Sequence, residues 1–274
     1  MPGLSSFAAE RWDGARYREI EDSIADEVPV ALRYNCMAYA VMLATPDDIQ
    51  DFALGFTLSE GIVQSPAEVH AIAHRQLTQG IEVSIRMDAA RLTLLQSRRR
   101  NLTGRTGCGL CGAETLAQAL RPLPAVASEL RISPRAVQSA IASLPDTQRL
   151  HAATGAVHAA AWADIQGDIV LAREDVGRHN ALDKLIGAMA SRRLAFDQGF
   201  AVLTSRASSE MVQKAATVGI PLLAAVSAPT ALAVRLAADC GLTLIGFARD
   251  RAHTVYAHGE RLRAPGIAVA EAVS

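Results

Sequence analysis

Short apolar runs and helical patterns alternate in the second half of the chain. The apolar runs cover 200–204, 220–226 and 242–247, and helical patterns cover 208–218 and 229–239 between them. Apolar strands of about five or six residues that alternate with helices are typical of an α/β fold with a largely parallel sheet. A hairpin over 155–173, a helix over 176–191 and a last strand near 254–256 complete the pattern.

The first half has another pattern, with polar alternation and turn signals between shorter elements. It predicts strands over 28–34, 37–44, 69–77 and 81–87 and helices over 45–61 and 88–97. After this half, Ser133 and Pro134 are expected to cap a helix over 133–144. Thr45 and Pro46 are expected to begin the helix that Gly61 ends. The polar residues before about 20 are expected to form a loose arm or an outer strand. Prolines at 122 and 124 mark a boundary, so we predict domains over 1–127 and 128–274.

Composition limits the class of protein. The 274 residues are 50% hydrophobic, and 27 basic residues balance 28 acidic ones for a net charge of −1. A chain this close to neutral has no global field for nucleic acid or a membrane surface, so any anion site is local. The apolar stretch over 219–248 contains Pro221, Pro229, Arg235 and Asp239, which a lipid-facing helix would not carry. With no secretory signal at the N-terminus, we expect a cytoplasmic protein.

Two cysteines lie in a glycine-rich segment, Arg105-Thr106-Gly107-Cys108-Gly109-Leu110-Cys111-Gly112. As a zinc site the pair supplies only half of a tetrahedron, and no second such pair is present. As a redox dithiol it lacks the strand–helix setting of thioredoxin-like motifs. Sulfur transfer fits better, because nearby arginines favour the thiolate and glycines give the loop mobility. The spacing alone leaves all three open.

Four further segments are candidates for binding an anionic ligand. Three of them follow predicted strands, where free helix N–H groups and small polar side chains suit phosphates. Their residues include Arg178, His179, Ser205, Arg206 and Ser227. The fourth follows the last core strand, and its aromatic ring and two arginines suit a phosphorylated ring system; it comprises Phe247, Ala248, Arg249, Asp250, Arg251 and Ala252. Capping, surface ion pairs or a solvated turn explain each segment about as well by itself.

The remaining histidines and cysteines indicate less about function. The histidines other than His179 have no metal-type spacing to the cysteines, so we expect them to be structural or at the surface. Cys36 and Cys240 are expected to be ordinary small hydrophobic residues.

Several of these segments resemble the formate dehydrogenase accessory sulfurtransferase (FdhD/NarQ) family. The resemblance rests on the stretches 52–61, 105–112, 174–184, 205–214 and 220–230, and it spans about residues 25–260. It implies a smaller N-terminal α+β domain and a C-terminal three-layer α/β domain similar to the cytidine deaminase fold.

The resemblance also implies a function. Members take sulfur from a cysteine desulfurase and pass it to the molybdenum cofactor, bis-molybdopterin guanine dinucleotide, before insertion into formate dehydrogenase. Cys108 would carry the persulfide with Cys111 assisting, residues 247–252 would bind the cofactor or its guanine nucleotide, and the protein would be a homodimer without a structural metal.

Two other functions stay open. A non-catalytic chaperone would bind and deliver the cofactor without using its cysteines. A deaminase-like zinc enzyme would carry a His-x-Glu motif upstream of its cysteines. Here His258-Gly259-Glu260 follows them, and Gly107 stands where that signature has proline.

Overall fold

The computed structural model describes residues 3–99 and 122–262. These residues form a mixed α/β structure with three separate sheets. Along the chain the strands and helices are β1 (Leu4–Trp12), β2 (Tyr17–Ala25), β3 (Val28–Tyr34), β4 (Met37–Ala44), α1 (Ile49–Ser59), β5 (Val69–Leu77), β6 (Gly80–Met87), α2 (Ala89–Arg99), α3 (Pro134–Ser143), α4 (Arg149–Thr154), β7 (His158–Ala163), β8 (Ile169–Asp175), α5 (Arg178–Ser191), β9 (Phe200–Leu203), α6 (Ser209–Thr217), β10 (Leu222–Ala225), α7 (Ala231–Cys240), β11 (Thr243–Arg249) and β12 (Ala252–Ala257). Short 3-10 turns lie at Pro66–Glu68, Leu144–Thr147 and Gly259–Leu262.

Two compact units divide the chain, and both are discontinuous. The first takes Met1–Leu123, Gln148–Ala159 and Arg173–Leu194; the second takes Pro124–Thr147, Ala160–Ala172 and Ala195–Ser274. The continuous domains over 1–127 and 128–274 remain a prediction. None of the helices within residues 3–99 and 122–262 is long and apolar enough to span a membrane.

The first unit contains a four-stranded sheet and an additional hairpin. Its sheet has the order β4–β3–β6–β5, with β3 parallel to β6 and the outer pairs antiparallel. β1 and β2 form an antiparallel hairpin where the sequence predicted a loose arm or one outer strand. Asp13 shapes its turn by accepting the N–H groups of Ala15 and Arg16. Most side chains of both strands are exposed, so no inward-facing apolar alternation marks them in the sequence.

Helix α1 begins later than predicted. Thr45 and Pro46 were expected to start it, but its first residue is Ile49 and its N-cap is Asp48, in the left-handed region at φ 52°. Thr45 is fully buried, and its hydroxyl accepts the N–H of Val176 at 3.1 Å instead of capping a helix. The Thr45 hydroxyl, which was expected to cap α1, therefore makes a contact between distant parts of the chain instead.

The second unit is built on a six-stranded sheet with the order β12–β11–β10–β9–β7–β8. The strands β9, β10 and β11 are mutually parallel, whereas β7 runs antiparallel to β9 and β12 runs antiparallel to β11. The prediction of a largely parallel sheet is therefore right for the central strands alone. Both β9 and β10 are buried along their whole length, as expected for strands covered on both faces.

Helix α3 covers one face of this sheet. The Ser133 hydroxyl accepts the N–H of Ala136 at 3.0 Å and Pro134 occupies the first turn, so the predicted cap is confirmed. The helix contributes Ala136, Val137 and Ala140 to an apolar cluster with alternate residues of the strands. Those strand residues are Ala161, Ala163, Phe200, Val202, Leu222, Ala224 and Ile245. This packing fixes the central strands whose carboxyl ends carry the predicted ligand loops.

Candidate functional site

The predicted sulfur-carrying pair, Cys108 and Cys111, lies outside the described residues. The predicted ligand-binding residues are all described, and they belong to both units. Ser205, Arg206, Ser227 and residues 247–252 are in the second unit, whereas Arg178 and His179 are in the first.

In the second unit, backbone hydrogen bonds join the loop after β9 to the loop after β10, and the loop after β10 to β11. Thr230 N–H donates to the carbonyl oxygen of Ala207 at 3.0 Å, and Ala207 also pairs with Pro229 in an isolated bridge. Phe247 N–H donates to the carbonyl oxygen of Ser227 at 3.1 Å. These segments are neighbours because their parent strands are parallel and adjacent.

Phe247 has an unusual backbone and an exposed ring. Its φ is 51°, in the left-handed region that bulky residues rarely adopt. The register between β11 and β12 shifts between Gly246 and Arg249, so Phe247 lies in a β-bulge. Bulges redirect side chains and are frequent next to binding sites. Here the bulge leaves 41% of Phe247 exposed on a sheet whose other large apolar residues are mostly buried.

The turn between β11 and β12 presents charged residues beside this ring. Arg249 pairs with Ala252 across the hairpin, and the two turn residues Asp250 and Arg251 have φ of 53° and 61°. Positive φ at both positions is the type I′ pattern, which usually takes Asn and Gly. A backbone conformation that costs energy in a hairpin turn is compatible with a ligand-binding role.

The cations of this region are accessible. Arg206, Arg249 and Arg251 are all exposed. The Arg249 guanidinium carbon lies 6.0 Å from the centre of the Phe247 ring, and its Nε is 3.8 Å from the Asp250 carboxylate. Ala248, by contrast, is fully buried in the core cluster, and Ser205 is buried with its hydroxyl donating to the Arg206 carbonyl oxygen. An aromatic ring and three guanidinium groups are therefore within reach of a ligand in solution, as are the exposed Asp250 carboxylate and the partly exposed Ser227.

In the first unit, the segment over 174–184 contains a fully buried ion pair. Lys184 Nζ lies 2.7 Å from Asp175 Oδ2, and both side chains have no exposed surface. Lys184 also donates to the carbonyl oxygens of Thr45 and Glu174, at 3.0 and 3.3 Å. Asp175 accepts the N–H groups of Thr45 and Gly177. These bonds satisfy a buried charge pair that would otherwise cost several kcal/mol.

Other polar residues of the same segment also have structural partners. Asn180 donates to the Leu43 carbonyl oxygen at 2.7 Å and to Asp175 at 3.0 Å. The Asp183 carboxylate accepts the Ser59 hydroxyl at 2.6 Å, and both are buried. Most of the polar residues in this long motif are therefore explained by folding.

Glu174 connects the segment to α4. Its two carboxylate oxygens accept the N–H groups of Leu150 and His151, at 2.8 and 2.9 Å, so it caps the start of α4. His151 Nδ1 lies 3.0 Å from the carbonyl oxygen of Val157, next to His158. These bonds bring α4 and the first residue of β7 close to the start of α5.

Several titratable side chains act on the charge of His158. Burial lowers the pKa of His158, and Arg178, His151 and His179 lower it further, in that order, while Asp175 raises it. Arg178 Nε is buried and has no hydrogen-bond partner among the described residues. His151 and His158 were predicted to be structural or at the surface, and no local spacing in the sequence links them to Arg178. Only the fold brings them together.

The remaining cysteines of the chain differ from each other. Cys36 was expected to be a small hydrophobic residue, but it is exposed at φ 71° in the two-residue turn between β3 and β4. Asn35 and Cys36 both have positive φ, which this turn type requires. Cys240 is buried as expected, and its burial raises the pKa of its thiol. Cys36 is therefore the more accessible of these two thiols.

The His-x-Glu segment has structural contacts. His258 Nε2 lies 2.9 Å from the carbonyl oxygen of Ala238, and Nδ1 lies 2.9 Å from Glu260. Both nitrogens of His258 are therefore occupied by protein oxygens. Among residues 3–99 and 122–262, no group of three or more His, Cys, Asp or Glu side chains is placed to hold a metal ion.

Comparisons of the sequence identify related proteins over nearly the whole chain. Residues 25–263 match the FdhD/NarQ family. The sulfur carrier protein FdhD of Xanthomonas campestris pv. campestris (strain B100) is 53% identical over 270 residues, which cover 98% of this chain and 96% of the relative. The sulfur carrier protein FdhD of Bordetella petrii is 51% identical over 242 residues, covering 88% and 87%.

The fold also has a counterpart among solved structures. A crystal structure from Desulfotalea psychrophila, described as a formate dehydrogenase accessory protein, superimposes with a TM-score of 0.78. The superposition covers 96% of this chain and 100% of the other, at 23% sequence identity. At that identity the likeness concerns the fold alone. The similarity of the C-terminal part to cytidine deaminases stays a prediction.

Proposed function

Since the chain belongs to the FdhD/NarQ family, we propose that it is a sulfur carrier that serves formate dehydrogenase. The observation that carries this proposal is the full-length similarity to proteins named sulfur carrier protein FdhD, at an identity above one half. The cysteine pair of this chain supplies the nucleophile that such a role requires.

We propose that Cys108 loads sulfur from a cysteine desulfurase. The Cys108 thiolate attacks the outer sulfur of the persulfide on the desulfurase, and the desulfurase cysteine leaves as a thiolate. The product is a Cys108 persulfide, and no net oxidation takes place. The basic residues near the pair, Arg105 and the run over 98–100, favour the thiolate form that this attack needs.

The second cysteine offers a way to release the sulfur. The Cys111 thiolate can attack the inner sulfur of the Cys108 persulfide, which forms a Cys108–Cys111 disulfide and expels hydrosulfide. A thiol reductant must then supply two electrons to restore the pair. Direct attack by the acceptor on the outer sulfur needs no such reductant, and Cys111 then assists only in positioning.

The acceptor in this proposal is the molybdenum cofactor in its bis-molybdopterin guanine dinucleotide form. The second unit supports this choice, since Phe247 offers a ring face on which a guanine can stack. Arg206, Arg249 and Arg251 offer guanidinium groups for the diphosphates. Ser205 and Ser227 would shape the loops that hold these groups rather than contact the ligand first. A cytoplasmic location and a homodimer stay predictions from the family resemblance.

The experiment that tests this function separates a sulfur carrier from a cofactor chaperone. A variant with Cys108→Ser and Cys111→Ser is produced in cells that lack the native protein, together with formate dehydrogenase. If the chain is a sulfur carrier, the variant still binds the cofactor but formate dehydrogenase activity is lost. Cys36→Ser serves as the matched control because Cys36 is an accessible thiol in a turn. Full activity with the double variant would mean that the chain is a non-catalytic chaperone.

A further inference from the structure

Helix α3 makes a polar contact with the turn between β11 and β12. The side-chain amide of Gln138 donates to the carbonyl oxygen of Ala252 at 3.2 Å, and its nitrogen lies 2.7 Å from Nδ1 of His253. Ala252 and His253 are the first two residues of β12, and Ala252 pairs with Arg249 across the turn. One amide group therefore joins the helix to the strand that leaves the turn.

The backbone conformation of this turn needs support from the rest of the fold. Asp250 and Arg251 have φ of 53° and 61°, a region that residues other than glycine rarely adopt because it costs free energy. Both side chains are exposed, so their packing does not hold the turn in place. The N–H of Phe247 anchors the start of the segment to the Ser227 carbonyl oxygen at 3.1 Å. The amide of Gln138 is placed to anchor its end.

The hydrogen bonds of this amide require a neutral His253. A carbonyl oxygen only accepts, so the amide nitrogen of Gln138 and not its oxygen must face Ala252. The same nitrogen donates to Nδ1 of His253, and Nδ1 must therefore carry a lone pair. A protonated ring presents an N–H at Nδ1 instead. The amide oxygen can turn to accept it, but the bond to Ala252 is then lost.

The surroundings of His253 favour its neutral form. Burial lowers the pKa of His253, because a charged ring loses hydration there. The elements packed beside it are β11, α3 and α7, together with the turn itself. Their charged residues are Arg135, Arg235, Asp239, Arg249, Asp250 and Arg251. None of these charges shifts the pKa of His253, so the contact with Gln138 is not in competition with an ion pair.

We propose that Gln138 is a positioning residue for the turn over 249–252 and that it acts through the neutral ring of His253. The proposal rests on the function above, since this turn belongs to the segment proposed to bind the guanine nucleotide part of the acceptor. Arg249 begins the turn and Arg251 is one of its two central residues, so the backbone of the turn sets where both guanidinium groups are presented. Gln138 was not among the candidate residues of the sequence, because its contact with the turn joins positions more than one hundred residues apart.

Histidine ring signals of the full-length protein, followed by NMR during a pH titration, test the contact. Gln138→Met keeps the size of the side chain and removes the amide, so the neutral ring loses a bond and the pKa of His253 should rise. Gln138→Glu places a carboxylate beside the ring and should raise this pKa further. His74 is exposed on β5 and serves as the internal control whose pKa should stay constant. A pKa of His253 that is the same in wild type and in Gln138→Glu would overturn the proposal.

Backbone amide signals of Asp250 and Arg251 report the conformation of the turn in the same samples. Gln138→Met should shift these signals, and wild type should show a shift in the same direction as the pH falls through the pKa of His253. Ser139→Ala changes the next, exposed residue of α3 and should leave the turn signals as in wild type. If Gln138→Met fails to fold in a thermal melt, the wild-type titration still decides. Turn signals that change with neither the substitution nor the protonation of His253 contradict the positioning role.

Binding of guanosine diphosphate at pH 8 separates this proposal from the function above. We expect Gln138→Met to weaken the binding by about threefold or more, as for one or two lost hydrogen bonds, and Ser139→Ala to bind like wild type. Wild-type affinity in Gln138→Met, although its turn signals have shifted, would overturn the positioning role. Wild-type protein that does not bind the nucleotide, but whose turn signals respond to Gln138→Met, would refute the proposed acceptor while it supports the role of Gln138 in the turn.

Discussion

The Lys184 ammonium lies 2.7 Å from the Asp175 carboxylate, and neither side chain has any surface exposed to solvent. The pair joins the end of β8 to the second turn of α5, and both residues also bond to Thr45, which directly follows β4. The polar motif over 174–184 looks like a ligand-binding loop in the sequence, but the structure gives most of its polar residues a role in the fold. Its acids, its asparagine and its lysine stabilise the fold.

We predict that Asp175 and Lys184 are strongly coupled in stability. Asp175→Asn leaves Lys184 buried without a counter-ion and should cost about 3–5 kcal/mol of unfolding free energy. Lys184→Met should also destabilise. The double variant should be more stable than the sum of the two losses implies, by more than about 1 kcal/mol. Urea denaturation of the four proteins measures this, with Asp250→Asn as an exposed control that should behave like wild type. Strict additivity would contradict the pairing.

A second prediction concerns the close crossing of α1 and α5. A Cβ on Gly55 would lie 1.7 Å from the Asp183 carbonyl oxygen, and one on Gly187 would lie 1.9 Å from that of Asp51. Both contacts are with backbone, so the helices must separate to admit alanine. Gly55→Ala and Gly187→Ala should each cost about 3 kcal/mol or more.

The midpoint of thermal unfolding checks this prediction. Ser191→Ala, at the exposed end of α5, is the matched control and should leave the midpoint almost unchanged. Wild-type stability of Gly55→Ala would mean that the helices do not approach as closely as described.

Local pattern predicted more of the fold than of the sites. The strands β9 to β11 and the helices between them could be predicted because each carries its own apolar period. The start of α1 could not, since Thr45 bonds to Val176, which is 131 residues away. The convergence of His151 and His158 on Arg178 is likewise a product of tertiary structure. Phe247 was recognised as a candidate from its neighbours, but its bulge is visible only in the register of β11 and β12.

Stability should depend on pH through His253. Burial lowers the pKa of His253, and the Gln138 amide nitrogen lies 2.7 Å from its Nδ1 and 3.2 Å from the Ala252 carbonyl oxygen. The amide donates to both, so Nδ1 must be unprotonated. In the unfolded chain a histidine takes up its proton near pH 6.5. The unfolded state therefore binds more protons just below that pH, and stability falls as the pH falls toward the lowered pKa.

Urea denaturation at pH 8 and pH 5.5 measures this effect. His253→Asn should reduce the loss of stability between the two pH values, and the lowered pKa of His158 should leave a residual loss of the same sign. An unchanged or larger loss in His253→Asn would contradict the assigned protonation state.

Nucleotide binding should depend on the ring of Phe247. Phe247→Ala removes a stacking surface and should weaken the binding of guanosine diphosphate by about fivefold or more, since such stacking contributes about 1–3 kcal/mol. Calorimetric titration measures the affinity. Phe7→Ala is the matched control, because Phe7 is also an exposed aromatic residue and lies on β1. A normal affinity in Phe247→Ala would assign the bulge a purely structural role.

The central claim is that Cys108 carries the sulfur. Mass spectrometry of the protein after incubation with a cysteine desulfurase and cysteine tests it directly, with Cys108→Ala, Cys111→Ala and Cys36→Ser compared with wild type. We expect the added mass of one sulfur atom on the peptide that contains Cys108, in wild type and in Cys36→Ser, and its loss in Cys108→Ala. Equal sulfur uptake by Cys108→Ala, or uptake found only on the exposed Cys36, would contradict the account.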